Sequence, residues 1–220
     1  MTRFWIGLLF FAVGCSRTPT LTPSSPPDPG FTEAATKSEP VAEDKPAPPA
    51  LTVGSPAPAL KVGRFLKGEP VTSFEPGKIY VIEFWATWCG PCIKAMPHIS
   101  ELQKQFPEVT FIGVNIWEEE VSEAEELVKK MDAKLEYRIA VDEVSDGDPD
   151  HGAMATTWLK AAEINSIPTA IIVDGQGRIA DITRPMELDE TLPQIIAGKW
   201  DTAAAAKRHL NEVLKEREQQ

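Results

Sequence analysis

Hydrophobic residues follow three distinct patterns along this chain of 220 residues. An apolar stretch, 4–13, follows Arg3 directly. The next region is rich in proline, serine, threonine and alanine and offers almost nothing that could be buried. From Leu51 onward, short β-branched and aromatic runs alternate with stretches of helical period. This organisation predicts three parts, which are an N-terminal targeting segment 1–15, a linker 16–50 and one folded α/β domain 51–220.

Two buried strands and one helix form the centre of the predicted domain. Ile79–Trp85 is short, β-branched and aromatic, which is typical of a central strand buried on both faces. Two short strand candidates precede it, and Val109–Asn115 is predicted as a second buried parallel strand. Between these strands, from Pro91 to about Phe106, apolar residues recur with a helical period at Ile93, Met96, Ile99, Leu102 and Phe106.

The second half of the domain predicts further helices and strands. Ser122 and Glu125 form a capping-box pattern that starts a helix ending near Met131. Trp158 lies on the apolar side of a helix predicted over 152–164. The remaining elements are a strand over 135–141, an antiparallel hairpin of 169–173 with 178–182, a helix over 188–197, and an amphipathic helix over 202–218 with Leu210, Val213 and Leu214 facing inward.

The N-terminal apolar stretch is too short to cross a bilayer as a helix and has the length of a signal-peptide core. It ends in Ala12-Val13-Gly14-Cys15, which resembles a bacterial lipoprotein signal, in which the cysteine is lipidated after cleavage. The alternatives are an ordinary secretory signal with a stray cysteine, or an anchor that stays uncleaved. All three place the domain outside the cytoplasm, and the first predicts a membrane-anchored periplasmic lipoprotein.

The region 16–50 is predicted to be a disordered tether. It holds nine of the 20 prolines of the chain. Such a composition cannot bury enough apolar surface to fold. Extended as polyproline II, its 35 residues would reach about 100 Å from the membrane.

Composition and charge narrow the range of partners. Hydrophobic residues make up 42% of the chain and charged residues 25%, which is ordinary for a globular protein. The net charge of −11 argues against a nucleic-acid partner and against a basic membrane-binding surface.

The sequence Trp88-Cys89-Gly90-Pro91-Cys92 lies between the predicted central strand and its helix. A dithiol site needs one thiol that attacks a partner's disulfide and a second that resolves the mixed disulfide. The attacking sulfur must be a thiolate, which a helix N-terminus stabilises. We therefore predict that Cys89 attacks from an exposed position, that Cys92 resolves from a more buried one, and that the pair is a redox-active disulfide.

Zinc binding and a purely structural disulfide are the alternatives for a Cys-x-x-Cys pair. Zinc needs two further ligands, and the only other cysteine is Cys15. The three histidines, His98, His151 and His209, show no paired spacing. The strand-helix setting favours redox chemistry over both alternatives, and no metal or other cofactor is predicted.

Several motifs together resemble the thioredoxin-fold family. They are the run from Glu83 to Cys92, Pro97, and Ile167-Pro168-Thr169. The segment Val53-Gly54-Ser55-Pro56-Ala57-Pro58 is similar to the TlpA/ResA-like extracytoplasmic branch of that family. The resemblance implies an α/β, thioredoxin-like fold with a central mixed β-sheet flanked by helices, an extra β-α insertion and a C-terminal helix.

The same resemblance implies roles for residues around the dithiol. Pro168 matches a cis-proline that faces the two cysteines and aligns the substrate chain. Trp88 matches a tryptophan that borders the attacking cysteine. The implied substrate-binding residues are Trp88, Gly90, Pro91, Ile167, Pro168 and Thr169.

Glu83 is the one carboxylic acid in the apolar strand. A buried carboxylate is costly unless it is protonated or paired. By its position it resembles the buried acid of thioredoxin, which exchanges a proton with the inner cysteine, here Cys92. The alternative is a strand-edge glutamate that reaches solvent.

The leading hypothesis is a thiol-disulfide oxidoreductase that reduces client proteins outside the cytoplasm and takes electrons from a membrane thiol donor. A dithiol oxidase and a reductase of cytochrome c maturation are alternatives. Many members of the branch carry a glutamate where this chain has Ala95. This difference argues against the role in cytochrome c maturation. A peroxiredoxin-like peroxidase and a non-catalytic tethered interaction domain are further alternatives. Peroxiredoxins carry a threonine three residues before the reactive cysteine, whereas Thr87 lies two residues before Cys89. This spacing argues against the peroxidase.

Overall fold

The sheet at the centre of the domain has six strands and mixed direction. The computed structural model describes residue 47 and residues 49–219, so Cys15, the predicted signal 1–15 and nearly all of the linker 16–50 lie outside it. The strands occur in the order β1-β4-β3-β2-β5-β6. Their bounds are β1 Val62–Lys67, β2 Ile79–Trp85, β3 Val109–Asn115, β4 Arg138–Asp142, β5 Thr169–Val173 and β6 Ile179–Thr183.

The three middle strands β2, β3 and β4 run parallel, and β1, β5 and β6 pair antiparallel to their neighbours. Four α-helices complete the domain, which are α1 Gly90–Gln105, α2 Val121–Met131, α3 Leu188–Ile196 and α4 Thr202–Arg217. The predicted thioredoxin-like architecture, with its β-α insertion between β3 and β5, is therefore confirmed. Within the described residues, no helix has the length and apolar character needed to cross a membrane.

Strand β2 separates two hydrophobic cores. Because side chains alternate along a strand, Val81 and Trp85 point to the face covered by α1 and α3. Phe84 and its alternate neighbours point to the other face, where they meet Trp158. Glu83 therefore shares a face with α1 and with the two cysteines.

Two local predictions in the first half of the domain are wrong. A single strand, β1, precedes β2 instead of two, because the remaining residues form turns and one isolated bridge between Pro56 and Arg178. Helix α2 has no side-chain cap at its start, and Glu125 instead forms an ion pair with Arg64 of β1.

The segment predicted as a helix over 152–164 is helical but irregular. It forms a π-turn at Ala155–Leu159 followed by a 3₁₀-turn at Lys160–Ala162. The Asp142 carboxylate accepts the backbone N–H groups of Met154 and Ala155 at 2.7 and 2.9 Å, which fixes where this segment begins. Trp158 is fully buried, as predicted.

Helix α4 faces the domain differently from the prediction. Val213 is buried, but Leu210 and Leu214 are only partly covered. The other buried side chains of the helix are Ala205 and His209. The short alanine side chains let α4 lie close to β6.

Gly113 provides a test of how closely the sheet packs beneath α1. A β-carbon at this position would lie 2.9 Å from Cε2 of Tyr137 and 3.0 Å from Cδ1 of Ile139, both buried. We predict that Gly113→Ala lowers the free energy of unfolding by about 1–3 kcal/mol, because neither neighbour has room to move. Urea unfolding measures the change. The control is Thr110→Ala, at a half-buried position of the same strand; equal losses in the two variants would contradict the prediction.

Candidate active site

Cys89 and Cys92 form a disulfide where β2 gives way to α1. Cys89 is the N-cap residue of α1, and its Sγ accepts the backbone N–H of Cys92 at 3.2 Å. The same N–H can therefore stabilise a Cys89 thiolate after reduction. Cys92 is fully buried, as predicted, but Cys89 is only 6% exposed, so its predicted exposure is wrong. It packs in the same apolar cluster as Ala86 and Cys92.

The two tryptophans beside the disulfide have opposite environments. Trp85 is fully buried and packs in the core, whereas 61% of Trp88 is exposed. The indole Nε1 of Trp88 donates to the carbonyl of Trp117 at 3.0 Å. Trp117 has a left-handed backbone, with φ of 53°, which turns this carbonyl toward Trp88. The exposed indole is thus held in one place beside Cys89.

Glu118 fixes the loop that carries Trp88 and Cys89. Its Oε2 accepts the backbone N–H of Thr87 at 2.8 Å, and its Oε1 accepts the Thr87 hydroxyl at 2.7 Å. The side-chain amide of Asn115 donates to Oε2 at 2.9 Å and orients the carboxylate. Sequence reasoning missed this residue. One signal was available, because Glu118 follows β3, and the carboxyl ends of neighbouring parallel strands meet at one edge of the sheet.

Glu83 lies inside the protein and not at a strand edge. Only 1% of the residue is exposed, and neither carboxyl oxygen has a hydrogen-bond partner among the described residues. Burial raises the pKa of Glu83 to about 8. At neutral pH the side chain is therefore mostly a neutral acid, able to gain or lose a proton near physiological pH.

The surroundings of Glu83 explain why its carboxyl is so poorly solvated. Gly113 lies opposite in β3, and Ala170 lies opposite in β5, so small residues flank the carboxyl within the sheet. Tyr137 is also buried on this side, and its hydroxyl has no partner within the described part of the chain. Burial raises the pKa of Tyr137 well above its usual range, and the charge of Glu83 adds to this effect.

The peptide bond between Ile167 and Pro168 is cis, as the resemblance implied. Register places this bond near the dithiol, because Thr169 pairs with Phe84 at the end of β2. Nη1 of Arg184 donates to the Pro168 carbonyl at 2.7 Å, and Nη2 donates to Oγ of Ser166 at 3.0 Å. The Thr169 hydroxyl donates to the Ser166 carbonyl at 2.8 Å. Arg184 is a second residue that the sequence alone did not reveal.

Comparisons with known proteins agree with this geometry. The Redoxin family model matches residues 52–195. Protein FixW of Rhizobium leguminosarum is 36% identical over 152 residues, which cover 68% of this chain and 68% of FixW. The thiol:disulfide interchange protein HelX of Rhodobacter capsulatus is 28% identical over 72% of this chain and 85% of its own length.

A solved structure shares the fold. The crystal structure of a thiol-disulfide isomerase from Corynebacterium glutamicum superposes with a TM-score of 0.53 at 19% identity, covering 64% of this chain and 97% of that protein. On the family match across most of the folded domain, and on the identity to FixW, the chain belongs to the Redoxin family.

Proposed function

We propose that this protein reduces disulfides of client proteins outside the cytoplasm. It is a thiol-disulfide oxidoreductase that uses the pair Cys89 and Cys92. The observation that carries the proposal is the disulfide at the start of α1, where Cys89 Sγ accepts a helix N–H. The buried acid Glu83 lies on the same face of the sheet, and the cis Pro168 lies at the same end of the sheet. Thiol:disulfide interchange is also the activity in the name of HelX.

The first step joins the protein to its client. In the reduced protein, the Cys89 thiolate attacks one sulfur of the client disulfide, and the other client sulfur leaves as a thiolate. The 6% of Cys89 that is exposed and the exposed indole of Trp88 form the contact surface. The backbone around Ile167, Pro168 and Thr169, together with Gly90 and Pro91, frames the client chain.

The second step releases the client. Cys92 is fully buried, so its thiol ionises poorly without a base. Glu83 takes that proton, the Cys92 thiolate attacks Cys89, and the client leaves fully reduced. The protein ends as the Cys89–Cys92 disulfide, and two electrons have passed to the client. Ala95 is buried in α1 and supplies no acid, so this role falls to Glu83.

The cellular setting belongs to the same proposal. Lipidation at Cys15 would anchor the chain, and the proline-rich region 16–50 would hold the domain away from the membrane. A reductant outside the cytoplasm needs electrons, which a membrane protein with its own thiol pair would supply to the Cys89–Cys92 disulfide. The net charge of −11 supports a protein partner over nucleic acid.

Trapping distinguishes the roles of the two cysteines. We predict that reduced Cys92→Ser forms a stable mixed disulfide with a disulfide-bonded test peptide, because the resolving thiol is missing. The Cys89→Ser variant forms little of this adduct, because its remaining thiol is buried. Mass spectrometry of the alkylated products measures both. Equal adduct formation by the two variants would show that Cys89 is not the attacking thiol.

Removing the Glu83 carboxyl should change the pH profile of turnover. The wild-type rate rises with pH through about 8, because the ionised form of Glu83 accepts the proton. We predict that Glu83→Gln loses this rise and is slower by about 100-fold at pH 8. Stopped-flow reduction of a peptide disulfide measures the rates. The matched control is Glu101→Gln, an exposed position on α1, which should keep the wild-type profile.

The pH dependence of protein stability tests the ionisation of Glu83 independently of the reaction rate. Between its unfolded pKa near 4.5 and its folded pKa of about 8, Glu83 is ionised in the unfolded chain but protonated in the folded one. The unfolded state then binds fewer protons, so wild-type stability falls as pH rises through this window. Glu83→Gln should lack this loss in urea unfolding from pH 5 to pH 8. A parallel decline in both proteins would contradict the burial argument.

The reduction potential tests the direction of electron flow. The Gly90-Pro91 dipeptide between the cysteines is that of thioredoxin, whose potential is about −270 mV. We predict a potential close to this value when the protein is equilibrated with glutathione buffers. A value above about −150 mV, toward that of a strong oxidant, would overturn the reducing role.

A further inference from the structure

A cavity of about 240 Å³ lies beside the cis-proline turn, where α4 crosses the ends of β5 and β6. Ser166 and Thr169 line it on the side of the turn, and His209 and Glu212 line it on the side of α4. Strand β5 begins and β6 ends here, so the cavity opens at the same end of the sheet as the dithiol. Helix α4 lies beyond residues 52–195, which match the family model.

Both arginines that line the cavity have acceptors within the protein. Arg184 donates to the Pro168 carbonyl and to Ser166, and Arg208 forms an ion pair with buried Asp181. The charge of Arg208 is therefore balanced by Asp181, although both guanidinium groups keep N–H donors that these contacts do not use. Among the described residues, acceptors without a partner also line the cavity.

His209 is the clearest of these acceptors. The residue is only 3% exposed, and its Nε2 has no hydrogen-bond partner among the described residues. Burial lowers the pKa of His209, while a hydrogen bond to the backbone of Ala162 acts in the opposite direction. The ring is thus neutral at pH 7, with its one proton directed to Ala162 and a lone pair left on Nε2.

Negative charge also exceeds positive charge around the cavity. Four glutamates and two arginines line it. Glu163 is paired with Arg217, but no ion pair within residues 49–219 involves Glu212 or Glu216. Burial raises the pKa of Glu212, whereas the nearby charge of Arg208 lowers it, and a further cation placed here would also favour the ionised carboxylate.

We propose that this cavity is a subsite for a basic side chain, lysine or arginine, of the client polypeptide. An ammonium or guanidinium group brings only donors and a positive charge, which match the lone pair of His209 and the carboxylate of Glu212. Arg184 lines the cavity and donates to the Pro168 carbonyl, so the cavity borders the backbone along which the client chain is proposed to lie. This inference rests on the proposed reduction of client disulfides and adds a preference for clients with a basic residue near the target cysteine.

Paired peptides test the subsite with the full chain. Each pair shares one disulfide-bonded sequence and differs at a single position near the cysteine, which is arginine in one peptide and citrulline in the other. Citrulline keeps the shape but lacks the charge. Several such pairs are made, with the arginine or citrulline at different positions on either side of the cysteine. Together they cover the range of distances between the cysteine and the cavity. The measured quantity is kcat/KM for reduction of each peptide.

We expect the wild type to favour the arginine peptide by about fivefold at one position or more, which is the size of one partly exposed charge pair. Glu212→Gln should abolish the preference and leave the citrulline rate unchanged. The matched control is Glu218→Gln, which removes the same charge from the end of α4, outside the cavity. It should keep the preference.

The outcomes separate this proposal from the function on which it rests. Reduction of arginine and citrulline peptides at equal rates at every position would overturn the subsite and leave the reductase intact. An equal loss of preference in Glu212→Gln and Glu218→Gln would also overturn it, because the effect would then come from overall charge. Failure to reduce any peptide would instead refute the proposed function.

Discussion

Strand β2 is hydrogen-bonded on both sides, and the whole candidate site depends on that constraint. Its parallel partner β3 and its antiparallel partner β5 leave no edge through which water reaches Glu83. The same pairings bring three distant parts of the chain to one end of the sheet. These are the turn with Cys89, the loop with Glu118 and the cis peptide at Pro168. Shifting either partner by one residue would turn its own small residue, Gly113 or Ala170, away from the face that carries Glu83.

Two buried glutamates of the site differ in their hydrogen bonds. Glu118 accepts three hydrogen bonds from Thr87 and Asn115, so this carboxylate serves to hold a loop. Glu83 has no hydrogen-bond partner among the described residues, and desolvation raises its pKa to about 8. The two glutamates thus have different chemistry because one is hydrogen-bonded and the other is only buried.

The sequence contains enough local information for the strands, for most helices and for the dithiol. The cysteine spacing, the apolar run of β2 and the helical period after Pro91 are all properties of neighbouring residues. The burial of Glu83 was left open, since a glutamate in an apolar strand fits either face. Glu118, Arg184 and His209 were missed because their partners are far away in sequence, and only the folded chain brings them together. The capping box failed for a similar reason, because Glu125 has a partner in β1.

The pairing of β2 with β5 also sets an order of assembly during synthesis. Nearly ninety residues separate Glu83 from its partner Ala170, and loop closure over such a distance makes this contact a late one. A growing chain therefore exposes Cys89 and Cys92 well before β5 exists to cover Glu83. During that interval the carboxyl is solvated and has an ordinary acidity, so the dithiol is present without its neutral acid. The chemistry of the site is completed only when the C-terminal third of the chain has been added.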